Sequence, residues 1–192
     1  MKFRTVALVA NRMKPTLVKE LKAILNLYDA KEYDITAIHA DQGFKCVREE
    51  VRPNELNACA TDDHVHGVER SIRTVKERCR CTIAGLRFKR IPRVMCKQVV
   101  EKAVKNLNQF PSRDGIADNM STLTMMTGRP FPEYEDFSLE FGTYVQVYEE
   151  NDPTNTMKLR TTPAIAMNPT NILKGGYDFM SLVSGCKLER QQ

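Results

Sequence analysis

Apolar positions recur along the chain with two periods, and the change from one to the other outlines its elements. Phe3-Arg4-Thr5-Val6-Ala7-Leu8-Val9-Ala10 is rich in β-branched and apolar residues and predicts a strand. From Pro15 onward, Leu17, Leu21, Ile24, Leu25 and Tyr28 fall at helical spacing, with lysines 14, 19 and 22 off the stripe. Ile35-Thr36-Ala37-Ile38-His39-Ala40 is a short apolar run closed by Asp41-Gln42-Gly43, which predicts a second strand and a turn. Strand, helix, strand is the βαβ pattern, so the expectation is an α/β layer with both strands in one sheet.

Cys46 to Val51 predicts a brief helix stopped by Pro53, and Leu56 to Ala60 another short strand. Gly67 to Arg80 is strongly helical in pattern. A further helix begins at Ile91-Pro92, with Cys96, Val99, Val100, Ala103, Val104 and Leu107 as its buried stripe. Pro111 to Gly115 is a loop by its turn chemistry. Beyond Phe137 the period shortens. Phe141 to Tyr148, Pro163 to Met167, Tyr177 to Val183 and Cys186 to Leu188 predict four short strands, a pattern that fits a small β-barrel. The expected organisation is a core over 1–111, a linker over 112–136 and a barrel-like module over 137–192.

A chain of 192 residues has room for one domain, or one domain plus a small appendage. With 42% hydrophobic and 28% charged residues it has the balance of a globular protein rather than a disordered one. The longest apolar run, Val6 to Ala10, is too short to span a bilayer, which needs roughly 20 residues. No leader with a small-residue cleavage site opens the sequence. The expected location is therefore nuclear or cytoplasmic, without secretion or membrane insertion. Six cysteines lie at 46, 59, 79, 81, 96 and 186, without the paired spacing of a zinc site. Reduced thiols serving as small core hydrophobes are the expectation.

Charge changes the picture more. The net +5 conceals a stretch from Arg70 to Lys105 with twelve Lys or Arg against Glu77 and Glu101. Glu133 to Asp152 holds seven acids and no Lys or Arg. So dense a basic block is a footprint for a polyanion such as nucleic acid, and on charge alone a well-solvated helix face accounts for it equally well.

Placement adds to this. Asp41 stands at the carboxyl end of a predicted parallel strand, where α/β sheets carry functional groups, although a turn Asp supporting Gly43 explains it more simply. On the Gly67–Arg80 helix, Val68, Ile72, Val75 and Cys79 share one face. Glu69, Arg73, Lys76 and Arg80 share a second, roughly 100° away on a helical wheel. Glu69 at the rim is either an ion-pair partner of Arg73 or a metal-binding acid at the end of a phosphate-gripping track. His39 reads as an ordinary strand residue, and His64 and His66 either as DNA contacts or as caps on the approach to the helix.

His64-Val65-His66-Gly67-Val68-Glu69-Arg70-Ser71-Ile72-Arg73-Thr74-Val75-Lys76-Glu77-Arg78-Cys79-Arg80 resembles the last catalytic helix of integrases from copia-type retrotransposons. Ile38-His39-Ala40-Asp41-Gln42-Gly43-Phe44 resembles the segment around that family's second catalytic Asp. Phe141-Gly142-Thr143-Tyr144-Val145, with Arg160, Ile165, Pro169, Asn171 and Gly175-Gly176-Tyr177, resembles the small Src-homology-3-like module that follows the integrase core. The resemblance implies a mixed α/β chain: an RNase H-like core fragment, then a small all-β module. It also implies DNA strand transfer by two metals held on an Asp, Asp, Glu triad. Asp41 and Glu69 would be the catalytic and metal-binding acids, and Mg²⁺ or Mn²⁺ the cofactor, since hard cations prefer oxygen ligands. DNA is the implied partner, with other retroelement polyprotein parts or a second copy of the chain. Arg70, Arg73, Lys76 and Arg80 would lie on phosphate, extended by Arg87, Lys89 and Arg90 in a predicted loop.

The pattern departs from the family at its start. Only one strand precedes the first helix, and no acid occurs before Glu20, so the first Asp of the triad is missing. The expectation is a DNA-binding fragment inactive in strand transfer. The alternatives are a host-adopted interaction protein that binds nucleic acid without chemistry, and a nuclease completed by another subunit or an upstream exon.

Overall fold

The computed structural model describes residues 2–59, 66–111, 117, 119–128, 137–148, 157, 159–170 and 176–190. Their order is α1 (Lys14–Asp29), β1 (Ala37–Ala40), a 3-10 helix (Gln42–Val51), β2 (Glu55–Ala58), α2 (His66–Ala84), α3 (Arg93–Gln109) and α4 (Thr122–Thr127). Then come β3 (Tyr144–Tyr148), β4 (Thr161–Pro169), β5 (Tyr177–Ser181) and β6 (Lys187–Arg190). The chain is mixed α/β, with two separate sheets.

The first sheet is the parallel pair β1–β2, in register from Ala37 opposite Glu55 to Ala40 opposite Ala58. The 3-10 helix is the crossover between them. Helix α1 starts with Pro at its first turn, where a missing N–H costs nothing. It lays Leu17 against Val47, Val51 and Leu56, with Val18, Leu21, Leu25, Ile38 and Phe44 around them. Lys14 on α1 reaches Glu50 on the 3-10 helix at 2.5 Å.

The second sheet is an antiparallel meander in the order β3-β4-β5-β6. Its two faces follow the period of a strand. Ile165 and Met167 on β4 and Met180 on β5 join Met95 and Val99 of α3, together with Phe141, in one cluster. The alternate residues Ala164, Ala166, Tyr177 and Phe179 join Val147 in a second cluster on the opposite face. Leu139 packs there too, and its backbone N–H donates to the Tyr177 hydroxyl at 3.2 Å. Buried polar groups tie the sheet to α3. The Asn168 side-chain amide, wholly buried, donates to the Gln98 carbonyl at 2.8 Å, and Lys105 Nζ donates to the Pro169 carbonyl at 2.8 Å. Gly142 comes so close to Leu86 that a β-carbon there would collide with the Leu86 side chain, and its φ of +89° is glycine territory.

Four sequence expectations are corrected by this arrangement. Phe3 to Ala10 is not a strand. High β-propensity is only a preference until a partner edge is in place. Here the backbone N–H and C=O of Arg4 are bonded to the side-chain amide of Asn108, at 3.0 and 2.6 Å, instead of to a sheet. Val6, Leu8 and Val9 are left exposed. The parallel partner of β1 is therefore β2, not the opening segment. The four strands over 144–190 form an open meander and no closed barrel among the described residues, because α3 covers the face that a barrel would close upon. The cysteines are free thiols as expected, yet Cys46, Cys81, Cys96 and Cys186 are exposed, so the core role fails for four of six. Within the stretch read as a linker, Ser121 caps α4 by accepting from the Thr124 N–H at 3.0 Å.

Candidate nucleic-acid interface

The basic helix is α2. Thr74 and Thr82 bond back to the carbonyls of Arg70 and Arg78, four residues earlier, at 2.9 and 3.0 Å. It packs along α3, and only its second half reaches the core, where Cys79 touches the Met95–Val99 cluster. Burial pushes the Cys79 thiol above its ordinary pKa, which keeps it a neutral packing group. The apolar face of the first half is only partly covered. Val68 and Ile72, on the face expected to be buried, are each 49% exposed. The periodicity is right and the burial is not: on this face only Cys79 packs against the Met95–Val99 cluster.

Arg70, Arg73, Lys76 and Arg80 are all exposed. Arg73, Lys76 and Arg80 line one shallow groove together with Glu69, Ile72 and Glu77. At 1.5 Å per residue, Arg73 and Arg80 stand about 10.5 Å apart along the axis. That spans three phosphate steps of roughly 3.4 Å along one DNA strand. Arg87, Lys89 and Arg90 lie in the loop between α2 and α3, exposed, while Leu86, Phe88 and Ile91 between them turn inward against the Met95 cluster. Three inward anchors thus fix three outward cations on a short loop. Among the described residues, none of these seven cations takes part in a salt bridge. Leaving them in water costs nothing in desolvation and keeps their charge available to a polyanion.

Asp41 follows the last residue of β1, so it does stand at the carboxyl end of a parallel strand. Its carboxylate accepts from the Gln42 N–H at 2.7 Å and caps the 3-10 helix. Glu69 is in the first turn of α2, where a negative side chain complements the helix dipole. The packed neighbours of the two acids differ. Asp41 belongs to the Leu17–Leu56 cluster's region, and Glu69 to the helix pair that carries the larger sheet. No group of three or more His, Cys, Asp or Glu able to hold a metal occurs among the described residues. As a test of fit, then, the two candidate carboxylates stand on different elements, and one oxygen of Asp41 is engaged in a backbone cap. His39 is an exposed residue of β1, His66 begins α2, and His64 lies outside the described residues.

Sequence reasoning missed the anchoring of the opening segment. Arg4 Nε donates to Ser71 Oγ on α2 at 2.9 Å while its backbone is held by Asn108 of α3. Residues 2–6 form a strap across the two helices. The polar Asn108 next to the apolar stripe of the helix was the available hint, because a buried amide requires partners.

No helix among the described residues is long and apolar enough to cross a membrane. Compared with known protein families and with curated proteins, the chain matches none.

Proposed function

We propose that the chain is an integrase-derived DNA-binding protein of the copia type that grips the phosphate backbone and performs no strand transfer. The observation that carries this reading is the set of seven exposed cations on α2 and its following loop, none neutralised by a described carboxylate. An RNase H-like ancestry for residues 1–111 belongs to the same proposal. It is supported by the parallel β1–β2 pair and by Asp41 at its carboxyl end. The absence of strand transfer is supported by the engagement of the Asp41 carboxylate with the Gln42 amide at 2.7 Å. Were Mg²⁺ or Mn²⁺ held there, Asp41 and Glu69 would be its ligands and would supply Lewis-acid activation of a phosphate oxygen.

Titration of labelled duplex DNA at increasing salt tests the proposal. Contact with about six phosphates gives a slope near −5 for log K against log salt, and Arg73→Ala with Arg80→Ala flattens it by about two. A flat response in the parent chain removes the nucleic-acid reading. In Mn²⁺ with preprocessed DNA ends, no strand transfer is expected. Turnover abolished by Glu69→Gln would restore the enzyme.

A further inference from the structure

Beside the cationic face of α2 lies a larger depression, a groove of about 1120 Å³ between α2, α3 and the strap of residues 2–6. Its floor is apolar: Val68, Ile72 and Val75 of α2 meet Val100 and Val104 of α3. Its rim is basic, with Arg70, Lys76 and Arg80 from α2 and Lys2 and Arg4 from the strap, and among the described residues no carboxylate lines it. DNA does not account for this combination. Phosphate has no use for a floor of exposed Val and Ile, and hydrophobic area left in water costs roughly 25 cal/mol per Å².

We propose that this groove is a docking site for an acidic amphipathic helix of a partner protein. Two observations choose that occupant. The first is the shape of the apolar stripe. Val68, Ile72 and Val75 run along α2 at i, i+4 and i+7, the spacing that receives the matching anchors of a second helix. The second is charge complementarity: Arg4, Arg70, Lys76 and Arg80 stand around the floor with no acid among the described lining residues, so a helix with Glu or Asp flanking its apolar face neutralises the rim as it covers the floor. The strap contributes a wall. Fixed by Asn108 and Ser71, it holds Phe3 and Val6 at the groove's edge without closing it. The inference does not rest on the DNA reading, since Val68 and Ile72 offer nothing to a phosphate.

The probe is a fluorescein-labelled synthetic helix of about 15 residues with Leu at i, i+3, i+4 and i+7 and Glu on its other faces, titrated against the full chain by anisotropy. Binding in the low-micromolar range is expected. It should fall at least tenfold in Val68→Ser with Ile72→Ser and in Arg70→Glu, and stay unchanged in Lys19→Ala on α1. Both apolar positions are half-exposed, so folding is not at stake, and circular dichroism of each variant verifies it. A peptide of the same composition with scrambled order should not bind. Equal binding of the scrambled peptide would show charge attraction alone and overturn the proposal. So would indifference to the Val68→Ser, Ile72→Ser pair, or a groove blocked by self-association of the chain in sedimentation.

Discussion

The two sheets of this protein are built from similar sequence material and end in different states. The β1–β2 pair has four residues per strand, alternates exposed and half-buried positions, and leans on α1 through Leu17, Val47, Val51 and Leu56. In the second sheet, β4 is buried from Ala164 to Pro169 and β5 along its whole length. Its two faces each have their own apolar cluster, and α3 seals one of them. The difference is one of coverage. Three or more strands with both faces occupied bury enough apolar area to persist, whereas two strands with one covered face depend on whatever lies beside them.

Removing core volume should break the comparison most sharply. Met167 is wholly buried between the sheet and α3, and Met167→Ala is expected to cost about 2–5 kcal/mol. Leu56→Ala, at 3% exposure, should cost a similar amount locally. Its effect should reach only the amides of α1, the 3-10 helix and the two short strands. Hydrogen exchange distinguishes the outcomes: Met167→Ala should accelerate exchange across α3 and the meander, and Leu56→Ala should leave them protected. Uniform acceleration by both substitutions would mean that the two regions unfold as one unit.

Gly142 sharpens the same contrast from the covered side. A methyl group there must find room against Leu86 while the backbone sits at φ +89°, so Gly142→Ala should cost about 1–3 kcal/mol. Adding Leu86→Ala relieves the collision but not the dihedral, and should recover only part of the loss. Complete recovery would place the whole cost in the side-chain contact.

The strap tests the junction between helices. Asn108→Leu removes both bonds to the Arg4 backbone, each worth about 0.5–1.5 kcal/mol. Exchange of the Arg4 amide should become fast with the global melting temperature little changed. Slow exchange in the variant would show that Ser71 alone holds the segment.

These contrasts also explain what was readable in the sequence. Helices α1, α2 and α3 and the strands of the meander were legible because 3.6- and 2-residue periods survive wherever one face is buried. The opening segment was misread because Phe3 to Ala10 has the composition of a strand, and composition cannot say whether an edge awaits it. Val68 and Ile72 were assigned to a buried face by the same periodicity, which locates a face on a helix but not the layer that covers it. The exposed cations were legible by charge alone. Their lack of described salt bridges was not, since Glu69 and Glu77 stand beside and among them in sequence.

The smallest effects expected are those of pH; stability of both regions rises with pH, but in different windows. Glu50 is held below the ordinary carboxylate range, chiefly by its bond to Lys14. That stabilisation is present above the unfolded pKa and is lost as pH falls through the folded one, so acid should loosen α1 from the 3-10 helix. Lys102 on α3 acts in the alkaline range and for another reason. Burial pushes its ammonium below the ordinary lysine value, against a weaker upward pull from Glu140. Between the folded pKa and the unfolded one the unfolded chain binds more protons, so stability rises with pH across that window. Alkaline conditions should therefore tighten the helix that carries the larger sheet. Lys102→Met keeps the stem and removes the charge, and should raise the melting temperature at neutral pH while abolishing the alkaline rise. A rise that persists in Lys102→Met would assign it to another group and leave the buried side of α3 without a titrating cation.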